Sequence, residues 1–109
     1  MILDDLIKAL EAADPDLVVP IGFENPHSWR GNYSELAFEP VANVTVRSML
    51  EAALEADGAT YGGWKGGDYT MSRHADVHLA DRGCIGEPIG PLLLRYMLGA
   101  PPQPATAYL

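Results

Sequence analysis

Apolar and charged positions alternate with a helical rhythm at the start of the chain. The apolar residues fall three or four apart, with charged residues between them, and are Ile2, Leu3, Leu6, Ile7 and Leu10. This spacing puts the apolar side chains on one face, so the pattern predicts an amphipathic helix over residues 2–13. Asp14-Pro15 follows, and a residue before proline disfavours helical geometry, so the helix should end there.

The next two apolar runs are typical of strands. Residues 17–23 are rich in β-branched side chains, but Pro20 has no backbone N–H, so we expect this strand at a sheet edge or at a bulge. Further on, apolar and polar residues alternate with a period of two over Glu35, Leu36, Ala37, Phe38, Glu39 and Pro40. That period predicts a half-buried strand with Leu36 and Phe38 inside, and the two strands would form a wide hairpin.

A second helix is predicted from Thr45 to about Asp57. Thr45 is a suitable N-cap, and Val44 and Met49 are placed to form a hydrophobic staple across it. Gly58 would supply the left-handed residue that closes the helix. The face expected to be buried carries Val46, Met49, Leu50, Ala53 and Leu54.

The rest of the chain predicts shorter elements. From residue 59 the pattern indicates a strand, a glycine-rich turn, a strand, and then a further strand over residues 76–80. Pro91 could begin a last helix over residues 92–98, and residues 100–109 form a Pro-rich arm. The element order favours a single α+β domain over residues 1–99, with an antiparallel sheet and helices packed on one face.

Composition and charge narrow the class of protein. The 109 residues, 48% of them apolar, suffice for one core, and no apolar run has the roughly 20 residues of a membrane span. Cys84 is the single cysteine and the N-terminus lacks a basic signal-like start, so we expect a soluble, cytoplasmic protein. Its formal charge of −8, without a run of cations, argues against binding extended nucleic acid.

Residues 22–33 hold the densest set of polar and aromatic groups, and we expect them to form a loop. Arg30 offers a planar fork for phosphate or carboxylate, and Trp29 and Tyr33 offer rings on which a base could stack. Hydrogen-bonding groups for a ribose or a base edge would come from Asn25, His27 and Ser28. The alternative is that these residues serve turn geometry, core packing and local ion pairs.

A second loop, residues 62–69, repeats the mixture of glycine, ring and cation. Gly66 and Gly67 would let backbone amides approach an anion, while Lys65 adds positive charge and Trp64 and Tyr69 add rings. The spacing of a Walker motif is absent, and glycine pairs also occur in hairpin turns for conformational reasons alone.

Signals for catalysis or a metal are weak. His74, Asp76 and His78 share one face of a predicted strand, but a strand with apolar residues inside and polar residues outside has the same appearance. Ser28 has a neighbouring histidine in sequence, but adjacent residues of an extended chain point apart. We therefore assign no catalytic residue, no metal ligand and no cofactor.

The strings from Gly22 to Tyr33, from Leu36 to Pro40 and from Lys65 to Met71 resemble a family of small uncharacterised proteins from actinobacteria and their phages. The resemblance covers roughly residues 17–80. It implies a phage or prophage setting, and it carries over no catalytic residue. In that setting the inventory of rings, cations and backbone donors is similar, as a class, to the small oligomeric sponges that sequester signalling nucleotides.

Three functions follow as hypotheses. The first is non-catalytic binding of an anionic nucleotide-derived signalling molecule by a homo-oligomer, as an anti-defence activity. The second is an acidic inhibitor that covers a host defence protein, with its aromatic loops as anchors. The third is a small nucleotide hydrolase or lyase with His27 as general acid or base.

Overall fold

The computed structural model describes residues 1–28, 34–81 and 84–99. Within those ranges the chain forms three helices and six strands. The helices are α1 (Leu3–Ala12), α2 (Val46–Ala56) and α3 (Pro91–Met97). The strands are β1 (Val18–Ser28), β2 (Glu35–Thr45), β3 (Thr60–Gly62), β4 (Asp68–Thr70), β5 (Asp76–Asp81) and β6 (Cys84–Pro88).

Four strands form the main sheet in the order β1-β2-β5-β6, and β3 pairs with β4 in a separate hairpin. The β1/β2 and β5/β6 pairs are antiparallel, whereas β2 and β5 are parallel, with Leu36 opposite Val77. The α+β class is thus confirmed, with a sheet that is mixed rather than wholly antiparallel. Strand β6 was not predicted from the sequence.

The parallel pair needs a long connection, and the chain between β2 and β5 supplies one. Parallel neighbours cannot be joined by a tight turn and require a crossover of a dozen or more residues. Here α2 and the β3–β4 hairpin together form that crossover. The hairpin is therefore part of the crossover, and after it the chain rejoins the sheet as β5, beside β2.

Strand β1 is longer than its apolar run suggests. The position of Pro20 on an edge strand is confirmed, because β1 has a neighbour on one side only. However, the loop predicted to begin at Gly22 is wrong for its first part, since the strand continues to Ser28. Backbone pairing with β2 makes this possible, and a register shift between Glu24 and His27 admits an extra residue at a bulge. Asn25 has a φ of 54° there, a left-handed value that asparagine tolerates.

Helix α2 begins as predicted. The Thr45 hydroxyl accepts a hydrogen bond from the Ser48 backbone N–H at 3.1 Å. The two preceding amides, of Val46 and Arg47, donate to the carbonyl oxygens of Leu17 and Pro15 at 3.0 Å. Together these bonds satisfy donors that a helix start otherwise leaves unpaired.

The buried face of α2 differs in part from the prediction. Val46, Met49 and Ala53 are fully buried, but Leu54 is 42% exposed and Leu50 is half-buried. Ala52 and Ala56 are buried in their place, so the contact face is rotated toward small side chains. Small residues let a helix lie close to its neighbours, and α2 packs against β1 and α1. Gly58 has the expected left-handed φ, 80°, but it does not close the helix: Asp57 before it is already extended, and the Gly58 N–H donates to the Met71 carbonyl.

The core lies between the sheet and the helices. Phe23 of β1 and Phe38 of β2 form its centre, with ring centroids 4.6 Å apart and a tilt of 48°. Leu36 and Ala37, neighbours that point to opposite faces of β2, are both fully buried. The sheet is therefore covered on both faces at this point, which corrects the expectation that Ala37 would share the polar side with Glu35.

Arg73 joins the segment before β5 to two helices. Its guanidinium donates to Asp4 of α1 and to Asp57 after α2, each at 2.9 Å. Its backbone carbonyl accepts the Asp4 N–H at 2.9 Å, and the Ala75 carbonyl accepts the Leu3 N–H at 2.8 Å. The first turn of α1 is thus capped by main-chain oxygens rather than by a side chain.

Gly22 tests how tightly α2 sits on β1. A Cβ added to Gly22 would collide with Val44 and would lie 2.9 Å from the Met49 sulfur. Since overpacking a dense core forces side chains and backbone apart, we expect Gly22→Ala to destabilise the fold by about 1–3 kcal/mol in urea unfolding. Gly62→Ala is the control, because nothing lies near a Cβ at that position. Equal urea midpoints for the two variants would contradict this packing.

Arg73 also predicts a response to acid. Hydrogen bonds from Lys8, and then from Arg73, hold the pKa of the Asp4 carboxyl below its ordinary value of 3.8. A carboxyl with a lowered pKa contributes stability above that ordinary value, and the contribution is lost as the pH falls through the folded pKa. We expect Arg73→Met to lower the urea midpoint at about pH 7, with a smaller difference from the parent chain at about pH 3.

Arg47→Met is the matched control for Arg73→Met. Its ion pair with Asp16 is just as short, at 2.8 Å, but the two side chains are 58% and 80% exposed. Exposed pairs contribute little, so this variant should unfold close to the parent at both pH values. A larger effect from Arg47→Met than from Arg73→Met would refute the role given to Arg73.

Candidate functional site

The residues predicted to bind a ligand fall on two elements, the end of β1 and the β3–β4 hairpin. Asn25, His27 and Ser28 lie on β1, with their side chains half-buried or exposed. Three other predicted residues lie outside the described residues: Trp29, Arg30 and Tyr33. The hairpin carries the second group, which is Trp64, Lys65, Gly66, Gly67 and Tyr69.

The bulge in β1 gathers a polar cluster around Glu39 of β2. The Asn25 side-chain amide donates to Glu39 Oε2 at 3.1 Å, and His27 Nδ1 lies 3.9 Å from the same oxygen. His27 Nδ1 also lies 3.2 Å from the Asn25 carbonyl oxygen. Because a carbonyl can only accept, Nδ1 is the donor, and the lone pair of the neutral ring is then on Nε2.

Ser28 links β1 to the hairpin. Its hydroxyl is hydrogen bonded to the Tyr69 hydroxyl of β4, across 41 positions of sequence. The Tyr69 ring also faces Tyr61 of β3, with centroids 6.3 Å apart and a tilt of 39°. Burial, with a contribution from Glu55, raises the pKa of Tyr61 above 10.0, so its hydroxyl stays protonated at neutral pH. The two segments singled out in the sequence therefore meet at Ser28 and Tyr69.

The tip of the hairpin presents an exposed ring and a cation. The turn is closed by bonds from Gly63 N–H to the Gly67 carbonyl at 2.8 Å and from Gly66 N–H to the Gly63 carbonyl at 3.0 Å. Gly66 and Gly67 have φ values of 84° and 75°, so the turn requires glycine at both positions. Trp64 is 66% exposed, and Lys65 Nζ lies 5.0 Å from the centroid of its ring.

The structure does not gather all the described candidates at one point. Opposite residues of a strand pair share a face, so His27 lies on the face of Ala37, and Ser28 lies on the face of Leu36. The bulge cluster around Glu39 and the Ser28–Tyr69 contact are therefore on opposite faces of the sheet. The candidate site formed by β1 and the hairpin is the one at Ser28, Tyr69 and the hairpin tip.

Two residues near these groups were missed in the sequence. Glu39 was interpreted only as the polar side of a strand, and its role depends on the shifted β1/β2 register. Tyr61 lies directly opposite Tyr69 in the β3/β4 pair. Counting outward from the glycine turn would have paired Tyr61 with Tyr69, because the turn of a hairpin fixes which residues of its two strands lie opposite each other.

Within the described part of the chain, residues 1–28, 34–81 and 84–99, no three side chains of the metal-binding types His, Cys, Asp and Glu come together. Of the helices described, none has both the length and the apolar character to cross a membrane. No protein-family model matches the chain, and no curated protein or solved structure matches it.

The Ser28–Tyr69 contact can be tested by a double-mutant cycle. We expect Ser28→Ala and Tyr69→Phe each to destabilise the protein, because each leaves a hydroxyl without this partner. Their effects should be non-additive, with a coupling of about 0.5–1.5 kcal/mol in urea unfolding. Ser28→Ala with Tyr61→Phe serves as the control pair, and equal coupling in the two cycles would show that the contact does not join β1 to β4.

Proposed function

We propose that this protein binds, without cleaving, an anionic nucleotide-derived signalling molecule at the junction of β1 and the β3–β4 hairpin. The observation that carries the proposal is the hydrogen bond between Ser28 and Tyr69. The chain continues from Ser28 directly into Trp29 and Arg30, and Tyr69 belongs to the hairpin that carries Trp64 and Lys65. Each of the two segments that carry a ring and a cation thus lies close in sequence to one partner of this hydrogen bond.

The hairpin tip suits recognition of a base next to a phosphate. Trp64 is an exposed residue, and an aromatic face is a platform on which a planar base can stack. Lys65 holds its ammonium group near that ring and is a strong point charge for phosphate. Arg30 would add a bidentate contact from the other segment.

The arrangement of β1 supports sequestration rather than turnover. A hydroxyl nucleophile needs a base within hydrogen-bond reach, and His27 is the base next to Ser28 in sequence. These two side chains lie on opposite faces of the sheet. A protein that holds a signalling nucleotide without destroying it would act as an anti-defence sponge in a phage or prophage setting.

Exposure of Trp64 also favours a second candidate, an inhibitor that covers a host protein. Tryptophan is enriched among the residues that dominate protein interfaces, and here it lies exposed at the tip of a hairpin. The formal charge of −8 would steer such a protein toward a basic surface. This candidate predicts a partner that is retained from host lysate and released by salt.

Calorimetric titration with a panel of cyclic and ADP-ribose-type nucleotides tests the binding proposal. We expect one of them to bind more tightly than about 100 μM, and Lys65→Ala, Trp64→Ala and Arg30→Ala each to weaken binding about tenfold or more. Lys8→Ala is the control, because Lys8 is paired with Asp4 on α1. The bound nucleotide should be recovered intact from heat-denatured protein.

Four results would count against the proposal. No binding across the panel would reject it, as would an Arg30→Ala variant that binds like the parent chain. Conversion of the nucleotide would favour a small hydrolase or lyase. Retention of a protein from lysate, with strong salt dependence and no nucleotide binding, would favour the inhibitor.

A further inference from the structure

An apolar groove of about 270 Å³ lies between α1 and α3. Aliphatic groups form almost all of its lining, and Arg95 is its one charged residue. The lining residues are Met1, Ala9, Pro91, Leu94, Arg95 and Leu98. The groove is far in sequence from the candidate site on β1 and the hairpin, and the proposed function makes no use of it.

Leu98, the residue at the C-cap of α3, lines this groove. Gly99 has a left-handed φ of 75°, and its N–H donates to the Tyr96 carbonyl at 3.1 Å. This is the bond that a Schellman-type ending makes from the residue after the cap. In that ending the next residue commonly contacts the side chains three or four positions back from the cap. In α3 those positions are Arg95 and Leu94, and both line the groove.

We propose that residues 100–109 of the same chain fill the groove between α1 and α3. This Pro-rich arm lies outside the described residues, and it carries no charged side chain although the chain as a whole has a formal charge of −8. It contains three prolines together with Tyr108 and Leu109. Such a segment matches an aliphatic groove, because it brings apolar surface and a backbone already restricted by proline.

Length and attachment favour the arm over a separate molecule. Ten residues in an extended proline-type conformation span about 31 Å, which exceeds the length of α1, about 15 Å. The arm is joined directly to Leu98, a lining residue, so its local concentration at the groove is in the millimolar range or above. A second copy of the chain would have to displace it.

Nuclear Overhauser measurements on the full chain test the proposal. With uniform ¹³C labelling, we expect contacts between the methyl groups of Leu94, Leu98 and Ala9 and protons of the Pro-rich arm. An isotope-filtered experiment on a mixture of labelled and unlabelled chains should show none of these contacts between molecules. Absence of arm-to-groove contacts in the first sample, or their appearance between chains in the second, overturns the proposal.

Matched variants give a second readout from the same spectra. Ala9→Glu puts a charge in the groove, and Leu92→Glu makes an equally acidic change on α3 at a side chain that is 79% exposed and outside the lining. We expect Ala9→Glu to abolish the contacts and Leu92→Glu to keep them. Because Ala9 packs against the core, Leu109→Glu repeats the test from the arm without touching the domain. Contacts that survive Leu109→Glu and Ala9→Glu alike would refute the arm as occupant.

Discussion

The fold depends on how Arg73 fixes the approach to β5. This residue acts through both its backbone and its side chain, capping α1 with its carbonyl and bonding Asp4 and Asp57 with its guanidinium. As a result α1, the end of α2 and the start of β5 are held at one point. β5 begins three residues after Arg73 and pairs in parallel with β2, so these bonds lie where the crossover rejoins the sheet. The segment before β5, which is a connector and not a regular element, thus holds α1, the end of α2 and the start of β5 together.

Local features of the fold could be predicted from sequence, and long-range ones could not. The Thr45 cap and the left-handed φ of Gly58 were correct because each depends on atoms within a few residues. The parallel β2/β5 pair was missed because its register depends on the whole crossover. Strand β6 was missed because Gly86 and Pro88 are residues that normally interrupt strands. Leu54 was predicted to be buried but is exposed, whereas Ala52 is buried. The reason is that α2 packs closely against its neighbours through small side chains.

In the candidate site, too, local features could be predicted from the sequence and long-range ones could not. The sequence identified Ser28 and Tyr69 as residues of interest, and it suggested that their two segments would converge. It also indicated that His27 and Ser28 would point apart on an extended chain, but it predicted a loop there and not the continuation of β1 through Asn25 and Pro26. Polar composition favoured a loop there, whereas pairing with the β2 backbone kept the segment extended. Hydrogen bonding between the main chains of β1 and β2 therefore outweighed the preference of the side chains for a loop. The resulting strand separates the cluster around Glu39 from the Ser28–Tyr69 contact.

The main-chain capping of the helices has a consequence for how this protein can change over time. The first turns of α1 and α2 receive carbonyl oxygens from Arg73 and Ala75 and from Pro15 and Leu17. Every residue type has a carbonyl, so substitutions that preserve the path of these connectors preserve the caps as well. Helix placement can then persist while side chains diverge widely in evolution. Distant descendants of such a domain would share its geometry long after the similarity of their sequences had faded.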